Sequence, residues 1–130
     1  MKGRKICGGI ARGKALVSTE GISFFGGVDP ESGVVVEKNH PLEGRSICGS
    51  VLVFPKGKGS TVGSYTIYRL KKNGKAPAAI INSECETIIA VGAIISEIPC
   101  VDLIDISKIR TGDDILVNAN TGDVLRSDEL

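Results

Sequence analysis

The sequence predicts a mixed α/β fold, a small β-barrel or sandwich flanked by two helices. Three observations predict it. The first half is a series of short apolar runs separated by turn signals. The middle switches twice to a helical period, each time next to a strand-like run. The C-terminal end is a hairpin around a glycine-bearing turn. A length of 130 residues suits one domain, residues 1–130. A chain of that size buries roughly two-thirds of its unfolded surface, enough for a real core.

Taken in order, Ala15-Leu16-Val17 is the first apolar run, and Ile22 to Phe25 the second, closed by Gly26-Gly27. Asp29-Pro30-Glu31-Ser32-Gly33 reads as a turn, Val34-Val35-Val36 as a β-branched strand, and Asn39 to Gly44 as another loop. Ile47 to Phe54 is the candidate central strand. Between Gly63 and Asn73, the residues Tyr65, Ile67, Tyr68 and Leu70 fit a helical face. Arg69, Lys71 and Lys72 suit its C-terminal dipole, Gly74 its cap, and Pro77 ends it. Ala78 to Ile81 is a short strand. A second helix follows, capped by Asn82 or Ser83 with Glu84 and Glu86 in its first turn. It is expected to turn Ile88, Ile89, Val91, Ile94 and Ile95 inward and to stop at Pro99. Cys100 to Ile104 reads as a strand. Asp114–Asn118 and Val124–Arg126 form the hairpin, introduced by Thr111-Gly112-Asp113.

Net charge is +1, which favours neither nucleic acid nor an anionic membrane as partner. Aromatic residues are 4% with no Trp, too few for base-stacking platforms. No apolar run reaches the length of a membrane span. The basic start Met1-Lys2-Gly3-Arg4-Lys5 leads into no sustained apolar segment, so no signal peptide is expected and the chain reads as cytoplasmic. Cys7, Cys48, Cys85 and Cys100 include no C-x-x-C pair and match no zinc or iron–sulfur spacing, so no metal is expected on this chain. Cys48 and Cys100 sit among apolar neighbours and read as core. Cys85 lies between Glu84 and Glu86 and reads as partly exposed.

The most informative stretch is Val51-Leu52-Val53-Phe54-Pro55-Lys56-Gly57-Lys58-Gly59-Ser60-Thr61. An apolar strand ends at a proline and delivers a glycine-rich basic loop with two hydroxyls. Such a loop brings backbone N–H groups and a cation close to an anion, and a helix starting just after it adds donors and partial positive charge. The same residues also suit a plain turn with solvated lysines. The loop is neither a Walker A nor a Rossmann fingerprint, because Gly59 separates Lys58 from Ser60 and the glycine spacing does not fit. Ser60 suits either a base held by N–H donors or a helix cap, with Thr61 and Ser64 as rival caps. His40, before Pro41, reads as a turn-fixing or interface residue and is not assigned to catalysis. Phe24 and Phe25 divide between core and contact. Arg69, Lys71, Lys72 and Lys75 read as a solvated helix end.

Two resemblances meet in this chain. From Cys85 to Leu125 it is similar to the swivelling domain of phosphoenolpyruvate-using phosphotransfer enzymes, through Ile98-Pro99, Thr111-Gly112-Asp113 and Thr121-Gly122-Asp123. Those domains carry a phosphorylated histidine in that segment. His40, the sole histidine here, lies outside it, so the similarity implies the fold and not the chemistry. Over nearly the whole chain, Phe24-Phe25-Gly26-Gly27-Val28-Asp29, His40-Pro41-Leu42-Glu43-Gly44, Gly57-Lys58-Gly59-Ser60, Ala76-Pro77-Ala78-Ala79 and Gly92 to Pro99 resemble the small subunit of aconitase X.

That resemblance implies a swivelling β/β/α domain. It implies a hydro-lyase subunit, active only in a heterodimer with a large catalytic subunit. The implied reaction is loss of water from 5-phosphomevalonate to give trans-anhydromevalonate 5-phosphate, in a modified mevalonate route to isoprenoids. A related branch dehydrates hydroxyproline, and a non-catalytic swivel module is the other alternative. The family's [4Fe–4S] cluster sits on the large subunit, where one iron acts as a Lewis acid on the departing hydroxyl. By position, the serine that takes the substrate proton is Ser60. Gly57, Lys58, Gly59 and Thr61 would line the substrate, a small phosphorylated hydroxy acid. Lys58 stands where many relatives carry arginine; it keeps the charge without the bidentate fork.

Overall fold

A computed structural model describes residues 1–130. Seven strands form one sheet in the order β1-β5-β4-β3-β2-β6-β7. They are β1 (Arg4–Cys7), β2 (Ile10–Val17), β3 (Val51–Phe54), β4 (Ala79–Asn82), β5 (Cys100–Asp102), β6 (Asp114–Asn118) and β7 (Asp123–Arg126). The central strands β2, β3, β4 and β5 are parallel to one another. The outer strands β1, β6 and β7 run antiparallel to their neighbours. A helical turn, α1 (Phe24–Gly27), precedes β3. The helices α2 (Gly63–Lys72) and α3 (Thr87–Ser96) connect β3 to β4 and β4 to β5.

The sheet curls because β2 serves two partners. Its first residues, Ile10 to Lys14, pair with β6, and its last, Ala15 to Val17, pair with β3. The two edges then meet. Met1 and Val124 exchange N–H to carbonyl bonds of 2.8 Å, and the Gly3 N–H donates to the Gly122 carbonyl at 2.8 Å. The result is a half-barrel with both faces covered, which is why β3 at its centre, Val51–Phe54, is apolar and buried at every residue. Val51 and Val53 of β3 face one core with Ala79, Ile81, Val101, Ile115 and Val124. Leu52 and Phe54 face the other with Ile80, Cys100, Ile67, Leu70, Ile89 and Ala93, beneath the helices.

Several expectations need correction. Val34-Val35-Val36 is no strand: it makes only isolated bridges to Val28 and Ser46 within the long connection 18–50. Ile22 to Phe25 is likewise a single bridge, Ile22 to Gly57, followed by α1. The central strand begins at Val51, because Gly49 turns the chain at φ 70°. The cap of α3 is Glu86, whose carboxylate accepts from the N–H groups of Ile88 and Ile89; Asn82 ends β4 instead. Only Ile89 of the isoleucines and valine on α3 points fully inward. Val91, Ile94 and Ile95 lie on its outer side, since α3 meets α2 through its small residues. Gly92 passes so close that a Cβ there would stand 2.6 Å from Ile67 Cδ1. Cys48 is exposed, in the loop before β3, whereas Cys100 is core as expected. Strand β1, which opens on Arg4-Lys5, and the first half of β2, with Arg12 and Lys14 at alternate positions, had no sequence signal.

Candidate functional site

The loop Pro55 to Val62 leaves the carboxyl end of β3 and enters α2. In open parallel sheets this is the end where ligands bind. The neighbouring strand ends there too, and Asn82 Nδ2 donates to the Phe54 carbonyl at 3.0 Å, tying β4 to β3 at the loop's root. The connection 18–50 braces the loop from the other side. Ile22 N–H donates to the Lys56 carbonyl (3.2 Å) and Lys58 N–H to the Ile22 carbonyl (3.0 Å). Two glycines permit this contact. A Cβ on Gly57 would stand 2.5 Å from Glu86 Oε1 and from Ile89 Cγ1, and one on Gly59 would collide with Ser23 Oγ. Gly59 also holds φ at 88°, the left-handed region that glycine accepts without strain.

Ser60 is exposed at the tip. Its Oγ accepts the Val62 N–H at 3.2 Å, and its carbonyl accepts the Gly63 N–H at 2.9 Å. None of the three candidate hydroxyls caps α2, whose N-cap is Val62 without a side-chain bond; the Ser60 bonds close the turn just before it. The Ser64 hydroxyl goes elsewhere, donating to the Ile88 carbonyl at 2.6 Å and pinning α2 to α3. The N–H groups of Gly59, Ser60 and Thr61 find no acceptor within the chain, so three successive donors stay open beside the Ser60 hydroxyl. Such a run of free donors at a helix start favours negative charge. Lys58, two residues away, has its ammonium 3.0 Å from Glu37 Oε2. The loop thus groups Gly57, Lys58, Gly59, Ser60 and Thr61, with the lysine charge already partnered.

His40 lies outside this group. It is buried, with Nδ1 accepting the Leu42 N–H at 3.0 Å, which makes Nε2 the donor to the Gly21 carbonyl, also 3.0 Å. It therefore fixes the loop that leads to Ile22. Phe24 is core, packed against Phe54 at 6.1 Å between ring centroids, while Phe25 is 54% exposed. Lys72 lies over the Tyr68 ring, 5.5 Å from its centroid, at the solvated end of α2. Sequence reading missed Ser23, Glu37 and Glu86 around the loop. Only Glu86 carried a signal, an acidic residue at a helix start.

The concavities of the surface do not include Ser60. One, of about 380 Å³, is lined by Phe25, Val28, Val36, Thr66 and Arg69; a larger one, of about 540 Å³, lies along α2 at Tyr65, Tyr68 and Lys72. The hydroxyl stands on an open surface, two residues before the exposed Val62, and Phe25, Val36 and Tyr65 are exposed apolar residues as well. No three His, Cys, Asp or Glu side chains are placed so that they could hold a metal ion. No helix is long and apolar enough to cross a membrane.

Residues 1–126 match the family model described as the aconitase X swivel domain. The chain belongs to that family. It is 59% identical over 124 residues to the phosphomevalonate dehydratase small subunit of Thermococcus kodakarensis, covering 95% of this chain and 93% of that one. It is 58% identical to the Methanosarcina acetivorans protein of the same name, covering 94% and 87%. The crystal structure of Thermococcus kodakaraensis aconitase X in its holo-form superposes with a TM-score of 0.95 at 58% identity, covering 96% of this chain and 95% of that one. The swivel-domain fold expected from the short motifs is the fold of this family.

Proposed function

We propose that the chain is the small subunit of a two-chain hydro-lyase that dehydrates (R)-5-phosphomevalonate to trans-anhydromevalonate 5-phosphate. The observation that carries this reading is the near full-length identity to proteins named phosphomevalonate dehydratase small subunit. The open catalytic loop supports the division of labour, because a hydroxyl without a surrounding cavity needs a second chain to enclose its substrate. The large subunit is that chain, and it holds the [4Fe–4S] cluster for which this one has no ligand set.

Dehydration of this substrate removes a proton from the carbon next to the carboxylate and a hydroxyl from the next carbon. The C–H electron pair becomes the new double bond as the C–O bond breaks. Ser60 takes the proton. The departing hydroxide gains a proton to become water, and Ser60 later releases the proton it took, so the net loss is one water. A serine hydroxyl is a weak base, and it acts as one only where its alkoxide is stabilised. The Val62 N–H already donates to Ser60 Oγ. The start of α2 and the open amides of Gly59 to Thr61 add partial positive charge beside it. Lys58 adds a full charge once the substrate's anionic group competes with Glu37 for it. Gly57 and Gly59 let the backbone approach.

The second reading is a swivel module without a catalytic residue. The bond from Val62 N–H to Ser60 Oγ favours it, since a purely structural serine makes the same bond. Reconstitution with the large subunit tests the first reading. The expected result is dehydration of 5-phosphomevalonate, with each chain inactive alone. Turnover of hydroxyproline and not 5-phosphomevalonate would move the chain to the related branch. Turnover by either chain alone would overturn the two-chain site.

A further inference from the structure

Three of the four cysteines converge on one edge of the helix-side core. Cys100 on β5 stands directly opposite Cys7 on β1 in antiparallel register, so their side chains share a face. Cys7 and Cys85 both pack, half-buried, against the cluster that contains Cys100. Cys85 is held there by its backbone: its N–H donates to Asp102 Oδ2 at 2.9 Å, and Asp102 lies two residues beyond Cys100 on the same face of β5. Asp102 is itself anchored by Arg4 through bonds of 2.9 and 2.7 Å. Interaction with the Cys85 thiol, followed by burial, pushes the Cys100 thiol well above its ordinary range. Cys48 takes no part; it is exposed, with its thiol donating to the Gly74 carbonyl.

We propose that Cys85 and Cys100 form an oxidisable dithiol, in which a peroxide oxidises the half-buried Cys85 and Cys100 closes an intrachain disulfide onto it. The Cys85 sulfur attacks the peroxide oxygen, breaking the O–O bond to give a sulfenic acid and water. The Cys100 sulfur then attacks the Cys85 sulfur and displaces a second water. The two thiols lose two electrons and two protons, and the peroxide is reduced. Cys85 is better placed than Cys7 for two reasons. It lies outside the sheet, in the connection between β4 and α3, whereas Cys7 is fixed in a ladder whose register shifts beside it. Burial also raises the Cys7 thiol, which lowers its thiolate fraction.

The dithiol adjoins the loop. Cys85 directly precedes Glu86, whose carboxylate caps α3 and lies against Gly57. Drawing Cys85 onto β5 moves that carboxylate and loosens the seat of the loop; this consequence, unlike the disulfide, rests on the proposed function.

The test treats the reduced full chain with hydrogen peroxide, blocks remaining thiols, and maps the peptides by mass. The expected product is lighter by about 2 Da before blocking, joins Cys85 to Cys100, and leaves Cys48 free to alkylate. Cys85→Ser and Cys100→Ala each abolish the link, and Cys7→Ser keeps it. Because Cys100 is buried, the half-buried Cys85 variant carries the test if Cys100→Ala does not fold. Oxidation at the exposed Cys48 with no intrachain link, or a link from Cys7 to Cys100, would overturn the proposal. Reconstituted with the large subunit, the oxidised chain is expected to lose activity by about tenfold or more and to regain it with a dithiol reductant. Full activity with the Cys85–Cys100 link mapped would sink the coupling to the loop and leave the dithiol standing.

Discussion

Replacing Gly57 by alanine adds one methyl group at the most crowded point of the loop. Gly57 does not occupy the left-handed region, so the change is steric and not conformational. The new Cβ would lie 2.5 Å from Ile89 Cγ1, 2.9 Å from Ile89 Cδ1 and 2.5 Å from Glu86 Oε1. Ile89 is fully buried and cannot yield. The Glu86 carboxylate can move only by releasing the N–H groups of Ile88 and Ile89, at 3.0 and 2.9 Å. Losing a helix cap costs about 0.5–2 kcal/mol, and overpacking about 1–3 kcal/mol. One displacement relieves both, so the costs overlap and about 1–3 kcal/mol is expected in total. For a chain of this length that lowers Tm by about 3–15 °C. Thermal unfolding by calorimetry measures it. Adding Glu86→Ala to Gly57→Ala is expected to cost less than the sum of the two single changes, because the first removes the atom that the second strikes. A Gly57→Ala chain within about 0.5 kcal/mol of wild type, or strict additivity in the double variant, would refute the reasoning.

Other outcomes follow from the same geometry. Phe25→Ala removes an exposed ring beside the loop; it should leave Tm near wild type but weaken association with the large subunit by about tenfold, read by titration calorimetry. Lys58→Ala should raise KM for the phosphorylated substrate more than it lowers kcat, since the charge serves binding, and an unchanged KM would count against that role. Hydrogen bonds from Glu31 and Ser32, from Ser107, from Arg12 and from Thr121 hold the carboxyls of Asp29, Asp105, Asp114 and Asp123 below their ordinary range. Their stabilisation is present above the unfolded carboxylate pKa, about 3.9, and is lost as pH falls through the lower folded values. Tm should therefore drop on acidification below about pH 4, and a flat Tm there would contradict these bonds.

Where one residue's local surroundings decide the outcome, the sequence was legible. The β6–β7 hairpin, the two βαβ crossovers and the loop at Gly57 to Thr61 all follow from turn chemistry and apolar runs. The failures share a cause, which is that long-range partners override local pattern. Val34-Val35-Val36 has strand composition but meets only single-bridge partners. Strand β1 has little strand composition yet is made by its pairing with β5 and by the Arg4–Asp102 ion pair. The apolar run of α3 could not show which side faced in, because helix-helix contact through Gly92 and Ala93 chose it. At the site, Ser60 was visible as a hydroxyl after a glycine loop. Ser23 and Glu37 were not, and Glu86 showed only as an acidic residue at a helix start, because all three reach the loop from distant segments.

The central claim is that Ser60 takes the substrate proton. Its most direct test is the dehydration rate of the reconstituted two-chain complex with Ser60→Ala, beside titration showing that the variant still binds the large subunit. The account predicts an intact complex and a kcat reduced by at least about 10²-fold, the scale on which general base catalysis contributes. An intact complex with undiminished kcat would contradict it, and would leave Ser60 as a residue that closes the turn before α2.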